Sequence, residues 1–409
     1  MAIYGRSIGS GSRILGGGGP GMYSITLPRS VYYADAAEWV QVSTQSPTGN
    51  YRRQVIVGNS LWVFDGSSAY EVDLDTGLTL NTVTGCDLGG NIVANGSGYS
   101  TKAVSYPGNV VTDGTNIYWC NYASLMQLNT STKAVTNLGG VDATTRGKTL
   151  VYSAFDNCIY MIGGIQTTNV RVGHSTKYDK IQLQSREVCH KYDINLNSIT
   201  AMANMPVARS HAWAFSDNET GEIYFGSGYA YTTNSLMDYN QSGGYVYSVY
   251  RFNPSTNSYT LIKSDMPFAF SHEHSYIAVG NRMLAFNGQN VYSWNPKTGE
   301  TYADQMPEPL TDAVLFNNVA VKDNSLYSSQ GSGLYRCVFY EDIPANAPIV
   351  AKIYAGNKYH TTQPFTIHAA TGDINVTTTQ QTAEDDIEIK MYTYDNAGGQ
   401  VLIIETGGD

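Results

Sequence analysis

The sequence predicts an all-β chain, one large domain of six repeated sheets followed by a small β module. Three observations carry this. A polar turn followed by an apolar pair recurs six times. A strand that ends in Asn or Asp turn chemistry follows each of the first five pairs. No stretch keeps a long helical period, while 32 Tyr and 41 Gly enrich the chain in residues suited to strands and turns.

In chain order, residues 1–30 are rich in Gly and Ser and read as an extended arm. Its scattered apolar side chains, Ile3, Tyr4, Ile14 and Leu15 among them, favour docking on a neighbouring subunit. Residues 38–53 follow, with Trp39 where the repeat carries its fourth strand. No three strands precede it. The last copy, residues 313–340, has three strands and lacks a fourth. Residues 38–44 are therefore expected to pair with the strand near residues 333–339. That pairing closes the array and removes two exposed sheet edges.

The six apolar pairs are Leu61-Trp62, Ile117-Tyr118, Ile159-Tyr160, Ile223-Tyr224, Met283-Leu284 and Leu326-Tyr327. They stand from 42 to 64 residues apart, a repeat period rather than a coincidence of composition. The turn-bearing strands that follow include YEVDLDTG from Tyr70, MQLNTSTK from Met126, YDINLNS from Tyr192, YRFNPSTN from Tyr250 and YSWNPKTG from Tyr292. Asn-Pro and Thr-Gly set hairpins here, because Pro fixes φ and Gly accepts positive φ. Two copies carry long inserts after the apolar pair. Residues 164–187 hold Arg171, His174, Lys177, Lys180 and Arg186; residues 226–246 hold Tyr229, Tyr231, Tyr239 and Tyr245. Both exceed the usual length of a hairpin loop. From residue 343 the composition changes, and alternating segments at 349–354, 364–368, 373–379, 387–394 and 401–405 read as a small β-sandwich-like module over residues 343–409.

Gly163-Gly164 after Tyr160-Met161-Ile162, Met205-Pro206 with Arg209, and Met266-Pro267 resemble the kelch family of β-propellers over about residues 31–342. A single copy carries the double glycine, and the family's fourth-strand Trp is replaced by Ile199, Tyr259 or Tyr302. The resemblance implies a six-bladed propeller closed by the N-terminal strand.

Composition bounds the function. Charged residues make up 14% and the net charge is −10, which argues against a nucleic-acid partner. The five cysteines lack zinc spacing and are expected as buried free thiols. No apolar run is long enough for a membrane helix, and the first residues carry Arg6 and Arg13 without an apolar stretch, so neither membrane insertion nor a signal peptide is expected.

His272-Glu273-His274 puts two imidazoles on one face of a strand, but two ligands do not make a metal site, and neither metal nor cofactor is expected. Asp73-Leu74-Asp75-Thr76-Gly77 is a hairpin turn rather than a calcium loop. No catalytic residue is assigned. In a propeller, the connection from a fourth strand to the next first strand lies on the face that carries the second-to-third-strand loops. Arg52, Arg53, Arg209, His211, His272, Glu273 and His274 fall at or just after the first kind of connection, and both inserts are of the second kind. The expected ligand face thus comprises Arg209, His211, His272, Glu273, His274, Tyr229 and Tyr231. The competing reading has the tyrosines packing the inserts and Arg209 bracing the ring.

The layout of arm, Tyr-rich repeat domain and appended module is similar to the tail, fibre and decoration proteins of tailed bacteriophages. It implies a non-enzymatic attachment protein in a virion, made in the host cytoplasm and oligomeric in its assembly. Its partners would be other virion proteins, through the arm and the C-terminal domain, and a host-surface glycan or protein. Two alternatives stand beside it. One is a carbohydrate-active kelch enzyme resembling a sialic-acid mutarotase, using Arg209, His211 and Glu273. The other is an intracellular kelch adaptor.

Overall fold

The computed structural model describes residues 23–27, 32–33, 39–45, 47, 53–89, 91–93, 103–105, 108–121, 124–141, 145–171, 179–232, 235–236, 243–268, 275–279, 282–287, 290–297, 299, 301–305, 319–322, 325–330, 333–338, 340–341, 350–355, 358–359, 366–367, 374–378, 387–394 and 400–406. All secondary structure among them is β. The chain divides into two compact units, residues 39–278 with 283–337, and residues 1–38 with 279–282 and 338–409.

In the larger unit, six four-stranded antiparallel sheets share one plan. The first runs Arg53–Val57, Ser60–Asp65, Ser68–Asp73, Thr79–Thr84. The second is Val111–Thr112, Asn116–Asn121, Ser124–Asn129, Val135–Gly140. Thr149–Ser153, Cys158–Ile162, Cys189–Asp193 and Ser198–Ala201 form the third. Trp213–Ser216, Ile223–Gly226, Val249–Asn253 and Ser258–Lys263 form the fourth. The fifth comprises Ser275–Val279, Arg282–Asn287, Asn290–Trp294 and Thr301–Gln305. The sixth is Ala320–Lys322, Ser325–Gln330 and Gly333–Val338, with Trp39–Ser43 as its fourth strand. Trp39 pairs with Cys337, Val40 with Arg336 and Gln41 with Tyr335, the pairing expected of residues 38–44.

The apolar pairs have a simple cause. Successive side chains of a strand point to opposite faces, so a second strand covered on both faces needs two adjacent apolar residues. From the sixth sheet through the first to the fifth, the first member of a pair faces the preceding sheet and the second faces the following one. Leu61 packs among Ala320, Tyr327 and Leu334 of the sixth sheet, while Trp62 packs among Ile117 and Trp119 of the second. Tyr118 then meets Ile159 of the third sheet, Tyr160 meets Ile223 of the fourth, and Tyr224 meets Met283 of the fifth. Each large apolar side chain so buried contributes about 1.5–3 kcal/mol. In the second, third and fourth sheets, where the second member is Tyr, a carboxylate near the start of the strand accepts its hydroxyl. Tyr118 donates to Asp113 at 2.7 Å, Tyr160 to Asp156 at 2.6 Å and Tyr224 to Glu222 at 3.0 Å.

The turn-bearing strands are the third strands, and their hairpins repeat one device. The carboxylate of Asp73 accepts the N–H groups of Asp75 and Thr76, and Asn129 and Asn253 do the same for the residues two and three further on. Four residues after this cap comes a left-handed residue: Gly77 (φ +69°), Lys133 (φ +60°), Asn197 (φ +49°), Asn257 (φ +51°) and Gly299 (φ +72°). All five cysteines are free and buried.

The first strands of the first, second, fifth and sixth sheets border one cavity of about 290 Å³. Residues 306–318, which connect the fifth sheet to the sixth, are outside the described residues.

In the smaller unit, Lys358–Tyr359, Val350–Ala355, Ile387–Tyr394 and Gln400–Thr406 form one sheet. Ile374–Thr378 pairs with Thr366–Ile367 on one side and with the N-terminal strand Tyr23–Leu27 on the other. The stretch expected as an arm through residue 30 thus contributes a strand to the C-terminal module.

Candidate functional site

Both long inserts fold into β structure, and they join. After Cys158–Ile162 the chain makes a hairpin of Ile165–Arg171 and Asp179–Ser185, paired from Ile165 with Ser185 out to Arg171 with Asp179. After Ile223–Gly226 it makes Tyr229–Tyr231 and Gly243–Tyr245, with Ser235–Leu236 between them. Gln182 pairs with Leu236 and Leu183 with Ser235, which ties the second insert to the first. On the other edge Thr145–Arg146, just ahead of the third sheet, pairs with Gln166 and Ile165. One between-sheet connection and two inserts therefore build a single four-stranded lateral sheet.

Special backbone positions launch the inserts. Gly163 and Gly164 have φ of +62° and +114°, and the Gly164 N–H donates to the Arg209 carbonyl at 2.9 Å. A Cβ on Gly163 would stand 2.1 Å from that carbonyl oxygen, so no side chain fits. Ser227 (φ +56°) and Gly228 (φ +96°) take the equivalent place in the fourth sheet, and a Cβ on Gly228 would stand 2.5 Å from the Ser210 carbonyl oxygen. The sequence reading counted one double glycine and missed this second pair. Ser–Gly at the same offset from its apolar pair was the available signal.

Arg209 is fully buried. Its Nη1 donates to the carbonyls of Ser227 (3.2 Å) and Ser248 (2.9 Å), and Nη2 donates to Ser248 Oγ at 3.0 Å. The guanidinium carbon lies 5.3 Å from the Phe225 ring centroid and 5.4 Å from that of Tyr250. Burial lowers its pKa to about 10, which leaves it charged at neutral pH. Lys148, 1% exposed, donates to the Gly163 carbonyl in the same manner at 3.4 Å. Two buried cations thus cap the first carbonyl of each left-handed pair. Arg209 is a brace rather than a solvent-facing group.

The aromatic cluster lies beside this brace. Tyr229 and Ser210 exchange backbone hydrogen bonds at 3.0 Å. Ser185 Oγ donates to the Tyr229 carbonyl and accepts the Tyr231 N–H, both at 2.9 Å, so the strand is pinned on two sides. The ring centroids of Tyr229 and Tyr231 are 4.5 Å apart, and Tyr245 meets Tyr229 edge-on at 5.3 Å. Tyr231 is buried and Tyr229 half-buried. Tyr245, 48% exposed, is the accessible member of the cluster, and Tyr247, two residues on, is 43% exposed. His211 is half-buried at φ +52°, its N–H donating to the Gly147 carbonyl at 3.3 Å and its ring lying against Gly147. Arg53 lies on the cavity between the sheets. Arg52, His272, Glu273 and His274 lie outside the described residues.

Of the expected ligand residues, the structure brings Arg209, His211, Tyr229 and Tyr231 together, the first and last as packing groups. Tyr247 was absent from the expectation, and exposure alone distinguishes it. Exposed phenol rings on a braced β surface offer flat stacking area and hydroxyls for hydrogen bonds at low entropic cost. No family model matches the chain, and no curated protein matches it.

Proposed function

We propose that this protein is a non-enzymatic recognition module that binds a glycan or protein surface through the lateral sheet and the tyrosines of the neighbouring Tyr229–Tyr231 and Gly243–Tyr245 ladder. The observation that carries this reading is the pairing of the two inserts, Gln182 with Leu236 and Leu183 with Ser235, beside exposed Tyr245 and Tyr247. Independent excursions from two repeats spend their backbone hydrogen bonds on each other, which makes a rigid platform out of what would be two mobile loops.

The six sheets close into a kelch-like ring in this reading, with Trp39–Ser43 sealing the last one. Face-to-face packing from the sixth sheet through the first to the fifth, and the cavity shared by their first strands, support closure. The setting we favour is a virus particle, in a tail or fibre, with the N-terminal strand and C-terminal module serving assembly. The pairing of Tyr23–Leu27 with Ile374–Thr378 supports treating those two ends as one assembly unit.

The test is Tyr245→Ala with Tyr247→Ala, read by binding to host cells and a glycan array and by thermal melting. Loss of binding with melting unchanged is the expected result; full binding by the double variant removes the platform from the reading. Mass spectrometry of purified particles tests the setting, and absence of the protein from them rejects it.

A further inference from the structure

The two hairpin turns of each sheet, from first strand to second and from third to fourth, lie at one end of it, because strands one and three run in the same direction. In the first four sheets these turns are residues 58–59, 73–78, 113–115, 129–134, 154–157, 193–197, 217–222 and 253–257. Their charge is one-sided. The one Lys among them, Lys133, is spent on Glu71 at 2.6 Å. Three carboxylates are paired from neighbouring strands or turns: Asp156 with Lys191 at 3.1 Å, Asp217 with Lys297 at 2.8 Å and Glu222 with Arg251 at 3.5 Å. The other five, Asp73, Asp75, Asp113, Asp193 and Glu219, form no ion pair among the described residues.

Two large apolar side chains stand among these carboxylates in the open. Phe155 is 58% exposed and Leu196 74%. They occupy the two turns of the third sheet, which are tied to each other by Asn157 Nδ2 donating to Asn195 Oδ1 at 2.9 Å. Neither turn is loose. The Ala154 N–H donates to Asn218 Oδ1 of the fourth sheet at 3.2 Å, and the Asp193 carboxylate accepts the Leu196 N–H at 3.0 Å. The Phe155 ring lies against Gly221, where a Cβ would stand 2.4 Å from its Cδ1. An exposed apolar pair on a braced, acidic tip costs solvation in the free chain and suits a partner that is both apolar and cationic.

The chain itself contains such a segment. Residues 1–22, outside the described residues, carry Arg6 and Arg13 and no Asp or Glu, although the whole chain has a net charge of −10. Apolar pairs accompany both cations: Ile3-Tyr4 precedes Arg6 and Ile14-Leu15 follows Arg13. We propose that the turn end around Phe155, Leu196, Asp193 and Glu219 receives residues 1–22 of a second copy of the chain. Arm and turn end are different surfaces, so the contact is head-to-tail and propagates into a ring or a filament. The inference rests on the assembly role proposed for the N-terminal end and does not involve the tyrosine platform.

Sedimentation velocity of the full chain over a concentration series tests it. Wild type is expected to associate reversibly, less so at higher salt because exposed charges are screened. Phe155→Ser with Leu196→Ser should weaken association by about tenfold or more, the scale of two apolar side chains left out of a contact. Asp193→Lys with Glu219→Lys, and separately Arg6→Glu with Arg13→Glu, should each weaken it several-fold. The fourfold variant that reverses both sets of charges should associate more tightly than either pair alone; circular dichroism checks that every variant folds, and the arm variants leave the turns untouched. A fourfold variant no tighter than the pairs overturns the proposal. Association lost in the arm variant but unchanged in the tip variants overturns this docking site and leaves the assembly role of the N-terminal end standing. Association unchanged in the arm variant removes the arm from assembly, and a wild-type chain that stays monomeric throughout overturns the proposal.

Discussion

Asn109 holds Leu150 by both ends of its amide: Nδ2 donates to the Leu150 carbonyl at 2.8 Å, and Oδ1 accepts the Leu150 N–H at 2.7 Å. One side chain thus mimics a strand neighbour between the second and third sheets. Gln54 makes the same kind of clamp from the first sheet to the sixth, donating to the Tyr327 carbonyl at 3.1 Å and accepting the Ser329 N–H at 3.2 Å. Face-packed sheets share no ladder hydrogen bonds, so these amides lend direction to contacts that are otherwise only apolar.

Asn109→Ala should destabilise the larger unit by about 2–4 kcal/mol, because two backbone groups at Leu150 lose their partners and each costs about 1–3 kcal/mol. Asn109→Asp should be worse at neutral pH than at pH 3, since a carboxylate would face the Leu150 carbonyl it must now repel. Urea unfolding at both pH values checks this. An Asp variant with equal losses at both would show that the clamp is not directional.

Gly163→Ala and Gly114→Ala separate two reasons for a glycine. Both positions have positive φ, but a Cβ at Gly114 meets nothing, whereas one at Gly163 meets the Arg209 carbonyl oxygen at 2.1 Å. Gly114→Ala should cost about 1 kcal/mol, the price of the left-handed conformation alone. Gly163→Ala should cost several-fold more or prevent folding, because the clashing atom is backbone. Similar melting temperatures for the two would contradict the close approach.

Much of this fold was readable from residue order. Leu61-Trp62 and its counterparts are visible as pairs because a strand covered on both faces cannot alternate with polar residues. Trp39–Ser43 was readable as the fourth strand of the last sheet because residues 313–340 lack one. What escaped had non-local causes. Nothing near Gln182 or Leu236 encodes their pairing, which depends on segments 54 residues apart, in two different inserts, reaching the same place. Tyr23–Leu27 read as part of a Gly-rich arm because its partner strand lies at the far end of the chain. Arg209 looked equally suited to a ligand or to a brace, and its burial beneath Ser227 and Ser248, which favours the brace, is a property of the folded chain that its neighbours in sequence do not encode.

Three carboxylates should give the protein an acid limb. Burial disfavours ionisation of Asp113, Asp156 and Asp217, but hydrogen bonds from Asn116 and Tyr118, from Tyr160 and Lys191, and from Lys297 and Thr220 respectively outweigh it, so each titrates below the ordinary carboxylate range. A lowered folded value means that the stabilisation is complete above the unfolded value, about 4, and is lost as pH falls through the folded values. Tyr118 and Tyr160 work the other way. Burial first, then the adjacent Asp, raises them, so their contribution is complete below about 10 and declines as pH rises beyond it. Stability should therefore be level between about pH 5 and 9 and fall on both sides. Asp156→Asn should lower the plateau and flatten the acid limb; an unchanged acid slope would mean that other groups set it.

Arg209 offers the sharpest test of brace against ligand. Arg209→Met removes the donor to three buried oxygens, those of the Ser227 carbonyl, the Ser248 carbonyl and Ser248 Oγ, and should cost about 3–5 kcal/mol, because each buried acceptor left without a donor costs about 1–3 kcal/mol. Arg209→Lys keeps the charge but cannot reach the Ser227 and Ser248 oxygens with one fork, and should recover part of that loss. Ser248→Ala removes one acceptor. In a double-mutant cycle it should cost less in the Arg209→Met background than in wild type, by about 1 kcal/mol, because the oxygen it deletes has already lost its donor. Additive effects, with loss of ligand binding by Arg209→Met at unchanged melting, would mean that the guanidinium serves a ligand after all. Coupling with reduced melting would fix it as the group that holds the launch point of the second insert in place.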